Sequence, residues 1–262
     1  VTGVQTCALP ISSEMTWIGL RNYLKLPGDS LILKSLYNTA YYSFLAVPLG
    51  IILALFFALL LNQELPGMRV MRTIYYLPSV TSGVAVSLLW LWVLDPQFGI
   101  INTILRAVGL PGPPWLQSPA WAKPALILMS TWSVGTTTLI FLAGLQGVPR
   151  HLYDAASVDG ANFWQRFRYI TVPMLTPTIF FNLVMGIIGS FQVFTQAYVM
   201  TQGGPNNSTL FYMIYLYNQA FTYVRMGYAS AMAWLLFAII LALTLLVLRS
   251  SPLWVYYEGI HK

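Results

Sequence analysis

Long apolar stretches without charge alternate along the chain with shorter segments that carry the charged residues. A helix needs about 20 apolar residues to cross the hydrocarbon core of a bilayer. Five stretches of that length contain no Asp, Glu, Lys, Arg or His, and they are residues 36–61, 73–94, 125–147, 174–200 and 227–248. The pattern predicts an all-α, polytopic membrane protein with five spans.

Two shorter apolar segments lie between these stretches. Residues 98–110 place four apolar side chains on one helical face, which is typical of a helix lying in the membrane interface: Ile101, Ile104, Leu105 and Val108. Residues 210–221 are too short to cross, and their three tyrosines, Tyr212, Tyr215 and Tyr217, suit headgroup depth. We interpret residues 210–221 as interfacial or re-entrant. If they cross instead, the last span runs the other way and the C-terminus changes sides.

Composition narrows the class of protein further. Only 8% of the residues are charged, whereas soluble domains carry about a quarter, and the 15% of aromatic residues argues against disorder. The net charge of +6 is spread thinly and forms no basic run, so nucleic acid is not an expected partner. The single cysteine, Cys7, has no partner for an intrachain disulfide, and we expect neither a metal nor a cofactor.

The distribution of basic residues suggests an orientation. One set of loops, residues 62–72, 148–173 and 249–262, holds seven of the thirteen Lys and Arg residues at higher density than the other set. The positive-inside rule therefore places these loops in the cytoplasm. The predicted organisation is an external segment at 13–35, a transmembrane domain at 36–249 and a cytoplasmic tail at 250–262.

The longest loop on the predicted inner side is residues 148–173, and its residue pattern predicts two short helices joined by a turn. A short helix with paired small residues, Ala155 and Ala156, precedes Gly160, where the chain turns. A second, amphipathic helix follows, with apolar residues at i, i+4 and i+7, and Pro173 is expected to open the next span. Small side chains let a partner approach closely, and Asp154 and Asp159 offer acceptors. The alternative is a solvated connector with no partner.

The same loop resembles the EAA loop in the permease subunits of bacterial ATP-binding-cassette (ABC) importers. The resemblance lies in three groups of residues: Asp154-Ala155-Ala156, Asp159-Gly160-Ala161 and Ile170-Thr171-Val172-Pro173. Asp154 replaces the usual Glu, and Val172 replaces the usual Leu. Further motifs in the order typical of sugar-type permeases are Ile18-Gly19-Leu20, Leu77-Pro78, Phe141-Leu142-Ala143-Gly144, Thr201-Gln202-Gly203-Gly204-Pro205 and Gly227-Tyr228-Ala229-Ser230-Ala231.

The resemblance implies a fold, a function and a set of partners. The fold is the type I ABC-importer transmembrane domain, in the bacterial plasma (inner) membrane and in contact with its lipid. The partners are a second permease subunit in a heterodimer, two ATPase subunits and an extracytoplasmic solute-binding protein. The chain lacks a phosphate-binding Gly-x-x-x-x-Gly-Lys-Ser/Thr motif, so it is not expected to be an enzyme, and hydrolysis falls to a partner.

The resemblance assigns the family's role in docking the ATPase to particular residues of this loop. Residues 154–158 correspond to the helix that inserts into the ATPase, with Gly160 allowing the bend. The residues implied in ATPase docking are Tyr153, Asp154, Ala155, Ala156, Asp159, Gly160, Ala161, Phe167, Ile170 and Pro173.

The family also bears on the N-terminus. Its permeases usually carry one further span before the region of Ile18-Gly19-Leu20. Residues 1–12 have neither the basic start nor the apolar run of a targeting segment. We interpret residues 1–12 as a non-native segment and expect that the first of six spans is missing.

The stretch 174–200 is the most polar of the five and is the predicted solute path. Its neutral hydrogen-bonding residues stand among aromatic rings: Asn182, Ser190, Gln192, Thr195 and Gln196. Sugars suit such surroundings, because their hydroxyls need partners and their C–H faces stack on rings. The expected solute is a carbohydrate, either a sugar, an oligosaccharide, a polyol or glycerol phosphate. Alternatively, these residues hold helices together.

Two other classes of membrane protein need groups that these stretches lack. An ion-coupled secondary transporter needs ionisable groups within the membrane, and the five stretches contain none. A membrane-embedded enzyme needs a His, Asp or metal cluster, and both histidines, His151 and His261, lie outside the stretches. Both classes are disfavoured.

Overall fold

A computed structural model describes residues 18–63 and 65–256, and all regular elements within that part are helices. The interpretation of residues 1–12, and the histidine at position 261 in the tail, lie outside the described residues. The described helices are α1 (Arg21–Lys25), α2 (Ser30–Leu61), α3 (Met68–Val80), α4 (Gly83–Val93), α5 (Ile100–Ala107), α6 (Ala122–Ser130), α7 (Gly135–Gln146), α8 (Arg150–Val158), α9 (Phe163–Arg166), α10 (Val172–Phe191), α11 (Thr195–Met200), α12 (Tyr212–Tyr217) and α13 (Met226–Trp254).

The described helices form up to five paths that are long and apolar enough to cross a membrane, if each bent helix pair is counted as one path. Three are Ser30–Leu61, Phe163–Met200 and Met226–Trp254. The other two are bent pairs, in which α3 meets α4 at 96° and α6 meets α7 at 47°. The prediction of an all-α polytopic protein is confirmed, and the five uncharged stretches fall on these five paths.

The stretch 73–94, predicted as one span, is broken in the middle. Thr81 and Ser82 have extended backbone between α3 and α4, with ψ of 148° and 132°. Pro78 lies just before the break and cannot donate a backbone hydrogen bond. The Thr81 hydroxyl donates to the Pro78 carbonyl at 2.7 Å, which satisfies an acceptor that the break exposes. The residues on both sides of the break are mostly apolar and uncharged, so an uncharged stretch of this length gives no sign that the helix is interrupted.

The path through 174–200 also differs from the expectation. It begins earlier, because α9 continues through a π-helical turn (Phe167–Thr171) directly into α10. Pro173 therefore lies inside a continuous helical path and does not open the span. The path is then interrupted at residues 192–194, where Phe194 has φ −136° and ψ −64° before α11 begins.

Helix packing uses small residues where helices approach closely. Ala54 and Ala58 of α2 are fully buried one turn apart, in a cluster with Phe141 of α7 and Leu175 of α10. A Cβ added at Gly186 of α10 would lie 2.9 Å from the Val47 side chain of α2. Close backbone approach increases van der Waals contact, which drives helix association where lipid is as apolar as the side chains.

The two short apolar segments are both short helices. Residues 98–110 contain α5, as predicted, and its buried Asn102 donates to the Pro96 and Pro113 carbonyls at 3.1 Å each. Residues 210–221 contain α12 and a π-helical turn (Asn218–Thr222). Tyr212 is fully buried within the protein and donates its hydroxyl to the Met232 carbonyl at 2.9 Å, so its side chain packs against neighbouring helices.

Candidate functional site

The predicted docking loop forms a helix, a turn and a second helix. Its first helix, α8, begins at Arg150, four residues before the predicted start at 154. Pro149 precedes it with extended backbone, φ −62° and ψ 128°. Proline has no backbone N–H and a restricted φ, so it suits a position just before the first turn, where N–H groups have no partner within the helix.

The turn after α8 is a Schellman motif closed by Gly160. The Ala161 N–H donates to the Ala156 carbonyl at 2.9 Å, and the Gly160 N–H donates to the Ser157 carbonyl at 3.1 Å. Gly160 has φ +75°, and a Cβ added to it would meet no atom within 4 Å. Backbone conformation, rather than space, therefore requires glycine here.

The second helix begins with a capping box. The Gln165 N–H donates to the Asn162 side chain at 2.9 Å, and the Asn162 N–H donates to the Gln165 side chain at 2.7 Å. Phe163 stacks on Phe167 with ring centroids 6.4 Å apart. Phe163 and Trp164 are 61% and 72% exposed, which leaves an aromatic surface beside the turn.

The loop is tied to α10 by side-chain hydrogen bonds. The Tyr153 hydroxyl of α8 is 3.0 Å from the Thr171 hydroxyl in the π-helical turn. The Arg166 guanidinium donates to the Ser157 hydroxyl at 3.2 Å, which joins α8 to α9. Asp154, Ala155 and Asp159 are exposed, whereas Tyr153 and the remaining predicted residues Ala156, Ala161, Phe167, Ile170 and Pro173 are partly buried. These contacts attach α8 to the helical path that continues into α10.

All five residues of the predicted solute path line one cavity of about 510 Å³. The lining comes from α2, from the bend between α6 and α7, and from the end of α10 through the start of α11. Four further polar residues belong to the lining, and they are Tyr42, Ser130, Ser133 and Thr137. No charged side chain of the described residues lines this cavity.

Hydrogen bonding separates the five predicted residues into two groups. Asn182 donates to the Thr178 carbonyl at 2.9 Å, and the Ser190 hydroxyl lies 2.5 Å from that of Ser43 on α2. These two side chains are engaged within the protein, and the Ser190–Ser43 pair joins two helices. Gln192, Thr195 and Gln196 make no side-chain hydrogen bond to any described residue. They remain able to bind a molecule in the cavity.

Three helix breaks converge beside the cavity. A Cβ added at Gly83, next to the break between α3 and α4, would lie 3.7 Å from the Thr195 side chain, next to the break between α10 and α11. A Cβ added at Gly135, at the bend before α7, would lie 3.1 Å from the Tyr75 carbonyl of α3. Non-helical backbone at membrane depth is tolerated where it is buried in protein or lines a cavity. The breaks are therefore consistent with a solute path.

The loop between α11 and α12 lies at the end of the molecule opposite α8, and it is held against α2. Lys34 donates to the Asn206 carbonyl at 2.7 Å, and Asn38 donates to the carbonyls of Asn207 and Leu210 at 2.9 and 3.1 Å. Lys123 donates to the Asn38 side chain at 3.1 Å. The sequence contained no signal for these contacts, which join residues more than 80 positions apart.

A polar cavity at converging helix breaks, within five apolar helical paths, defines a polytopic transport protein. The described residues contain no group of three or more His, Cys, Asp or Glu residues that could hold a metal ion. The family model for the inner membrane component of binding-protein-dependent transport systems matches residues 46–254, and the chain belongs to this family. It is an ABC importer permease subunit of the inner membrane. Family membership decides against the ion-coupled secondary transporter.

Similar proteins support the assignment. The chain is 46% identical over 248 residues to the probable ABC transporter permease protein YesP of Bacillus subtilis, covering 93% of this chain and 80% of that protein. It is 36% identical over 239 residues to the lactose transport system permease protein LacF of Rhizobium radiobacter, covering 87% and 78%. These two relatives extend the resemblance over most of the chain.

Two solved structures have the same fold. A bacterial ABC transporter involved in import of the acidic polysaccharide alginate matches with a TM-score of 0.83 and 26% identity, covering 92% of this chain and 86% of that one. A bacterial alginate ABC transporter, in complex with an alginate pentasaccharide-bound periplasmic protein, matches with a TM-score of 0.81 and 27% identity, covering 89% and 83%. The expected fold, an ABC-importer transmembrane domain, is confirmed.

Proposed function

We propose that this chain translocates a carbohydrate as one permease subunit of an ATP-driven, binding-protein-dependent importer. The observation that carries the proposal is the cavity at the three helix breaks, with its neutral hydrogen-bonding lining. Relatives named for lactose transport and for alginate import support the class of solute. Sugars, oligosaccharides, polyols and glycerol phosphate all belong to this class.

The cavity suits a polyhydroxylated solute for two reasons. Gln192, Thr195 and Gln196 supply donors and acceptors that no described residue uses. Tyr42 and Phe194 line the same cavity and offer rings to the C–H faces of a sugar. Because no charged residue among the described residues lines the cavity, a neutral sugar or polyol fits better than glycerol phosphate.

The exposed loop of α8 and α9 is proposed to dock on an ATPase subunit. The exposed Asp154, Ala155 and Asp159 form the contact, and Gly160 maintains the angle between the two helices. Nucleotide-driven movement of α8 passes through the Tyr153–Thr171 contact and the π-helical turn into α10, which ends at the cavity. The movement biases a two-state equilibrium between inward and outward access.

The proposed assembly contains three kinds of partner subunit. A second permease subunit completes the path, and two ATPase subunits bind at the α8 end and hydrolyse ATP. An extracytoplasmic solute-binding protein docks at the opposite end, beside the loop between α11 and α12. The matched alginate transporter in complex with a periplasmic protein supports this last contact.

Uptake by the reconstituted importer tests the proposal. The complex is assembled in proteoliposomes with its binding protein, and uptake of labelled sugars and polyols is measured with and without ATP. We expect ATP-dependent uptake of a carbohydrate, which Gln192→Ala with Gln196→Ala reduces and Gln97→Ala, outside the cavity, leaves unchanged. The isolated chain is expected to show no ATP hydrolysis. Uptake of only non-carbohydrate solutes, or hydrolysis by the isolated chain, would contradict the proposal.

A further inference from the structure

The α11–α12 loop (residues 201–211) carries no charged residue and closes on itself. The Thr209 hydroxyl donates to the Gly204 carbonyl at 2.6 Å and lies 2.7 Å from the Thr201 hydroxyl. The exposed polar side chains of the loop are all neutral amides: Gln202, Asn206 and Asn207. A surface without charge exerts no long-range attraction on a partner, so its use as a contact depends on where the loop is held.

One buried side chain, Asn38, holds the loop at the point where the loop returns to α2. Asn38 is 2% exposed, and its Nδ2 atom donates to the carbonyls of Asn207 and Leu210. Its Oδ1 atom accepts a hydrogen bond from Lys123 Nζ at 3.1 Å. Both donors and the acceptor of the amide are thus used within the chain. Asn38 therefore joins three parts of the fold, namely α2, the start of α6 and the loop.

Lys123, the second residue of α6, is itself fixed against α2. Its Nζ atom lies 4.6 Å from the ring centroid of Tyr41 and 4.9 Å from that of Tyr37. The faces of aromatic rings attract cations, and the attraction is stronger where water is partly excluded. Lys123 is only partly exposed. The two rings therefore keep the ammonium group beside Asn38, so the start of α6 is tied to α2 and to the loop together.

The face of α2 that holds the loop also reaches the proposed solute cavity. The Thr39 hydroxyl accepts a hydrogen bond from the Tyr212 N–H at 2.9 Å, directly after the loop. Tyr42, one turn along α2 from Asn38, packs against Phe211 with ring centroids 5.2 Å apart, and Tyr42 lines the cavity. The last residue of α6 lines the same cavity. The loop is thus attached to two helices that contribute to the cavity wall.

We propose that Asn38 and Lys123 are positioning residues that keep the α11–α12 loop in a fixed position relative to the solute cavity. The inference rests on the proposed function, in which the solute-binding protein docks beside this loop. Because Asn38 is buried, it acts through the loop and not by contact with the partner. When α2 and α6 move between inward and outward access, the loop moves with them. Docking of the binding protein and the access state of the cavity are then linked reciprocally.

Hydrogen exchange of the loop amides in the assembled complex tests the positioning role. Asn38→Leu removes two hydrogen bonds to the loop, so exchange in residues 201–211 is expected to become about tenfold faster. Asn102→Leu is the matched control. Asn102 is 1% exposed and also makes three side-chain hydrogen bonds, with two proline carbonyls and the Trp115 indole N–H. Unchanged loop exchange in Asn38→Leu, or the same acceleration in both variants, overturns the proposal.

A second experiment measures coupling, which loss of stability alone would not change selectively. ATPase activity of the reconstituted importer is titrated with its own solute-binding protein. Lys123→Met keeps a long side chain between the two rings but loses the charge and the hydrogen bond, whereas Lys123→Arg keeps both. Lys123→Met is expected to raise the concentration for half-maximal stimulation about fivefold, with the basal rate unchanged, and Lys123→Arg is expected to resemble the unchanged protein. Equal half-maximal concentrations for the two variants overturn the proposal.

Failure of this inference is distinguishable from failure of the proposed function. If the unchanged importer takes up carbohydrate and Lys123→Met responds to the binding protein as the unchanged protein does, only the positioning role is wrong. If the unchanged importer takes up no carbohydrate and does not respond to its binding protein, the proposed function is wrong, and the role of the loop in docking falls with it.

Discussion

Replacing Gly160 by valine is expected to uncouple ATP hydrolysis from transport. Gly160 has φ +75°, and no atom lies within 4 Å of a Cβ added there, so the substitution acts through the backbone alone. A residue with a Cβ in the left-handed region costs about 1–2 kcal/mol, and a β-branched residue costs more. If the turn rearranges, the two Schellman hydrogen bonds from Gly160 and Ala161 are also lost, at about 1 kcal/mol each.

A change of about 2 kcal/mol shifts the population of the docking conformation roughly thirtyfold. We therefore expect at least a tenfold fall in ATP-dependent uptake by proteoliposomes containing Gly160→Val, together with loss of solute-stimulated ATPase activity. Asparagine tolerates left-handed backbone, so Gly160→Asn is the matched control and should retain most of the activity. Size-exclusion chromatography verifies that both complexes assemble. If an assembled Gly160→Val complex transports as fast as Gly160→Asn, the conformation of this turn has no role in coupling.

Four further changes test other parts of the structure. Asp154→Lys reverses an exposed charge on α8 and should reduce ATPase stimulation severalfold, whereas Asp154→Glu should not; equal stimulation by both would remove Asp154 from the docking surface. Gln192→Ala should raise the solute concentration needed for half-maximal uptake, measured in proteoliposomes, and an unchanged value would argue against solute contact. Arg72 donates to the Leu61 carbonyl at 3.0 and 2.8 Å, so Arg72→Gln should lower the free energy of unfolding by about 2 kcal/mol, and Arg69→Gln should not. Burial raises the pKa of Asp29, but hydrogen bonds from Tyr215, Tyr228 and the backbone outweigh it and hold that pKa below its usual value. Ionised Asp29 therefore stabilises the protein above about pH 4, and this stabilisation is lost as the pH falls through the lower folded-state pKa. Asp29→Asn should then make the thermal unfolding temperature less dependent on pH in the acidic range, and parallel pH profiles of the two proteins would exclude this role for Asp29.

The connection between the docking loop and the cavity gives these predictions a common physical basis. The π-helical turn (Phe167–Thr171) makes α9 and α10 one continuous path, and the Tyr153–Thr171 contact attaches α8 to it. The other end of α10 stops at residues 192–194, beside the cavity. A displacement of α8 is therefore expected to reach the proposed solute cavity through a single helical path.

The conformation of the proposed docking loop was largely predictable because its signals are local. Glycine after a short helix predicts a left-handed turn, and Gly160 has that conformation. The boundaries were harder to predict, since α8 begins four residues before the predicted start and α10 begins before Pro173. A π-helical turn shifts the hydrogen-bond pattern by one residue around the proline, and no composition signal marks such a turn.

The proposed solute cavity was predictable only in part. The five residues proposed from one uncharged stretch do meet in one cavity, because they lie on the same helical path and its break. Tyr42, Ser130, Ser133 and Thr137 come from two other paths, and their convergence depends on packing between helices distant in sequence. Likewise, polar composition did not distinguish Ser190, which is bonded to Ser43, from Gln192, which has no partner among the described residues.

The sequence by itself determined the helical class, the five apolar paths and the glycine turn of the docking loop. Each of these follows from local rules: the length of an apolar stretch, the absence of charge in hydrocarbon, and the backbone freedom of one residue. The tertiary structure alone decided where the paths break, which polar groups pair across helices and which remain free for a ligand. Those outcomes depend on contacts such as Lys34 with Asn206 and Asp29 with Tyr215, which join residues 172 and 186 positions apart. Such contacts form only when the helices pack together, so the local periodicity of the sequence does not predict them.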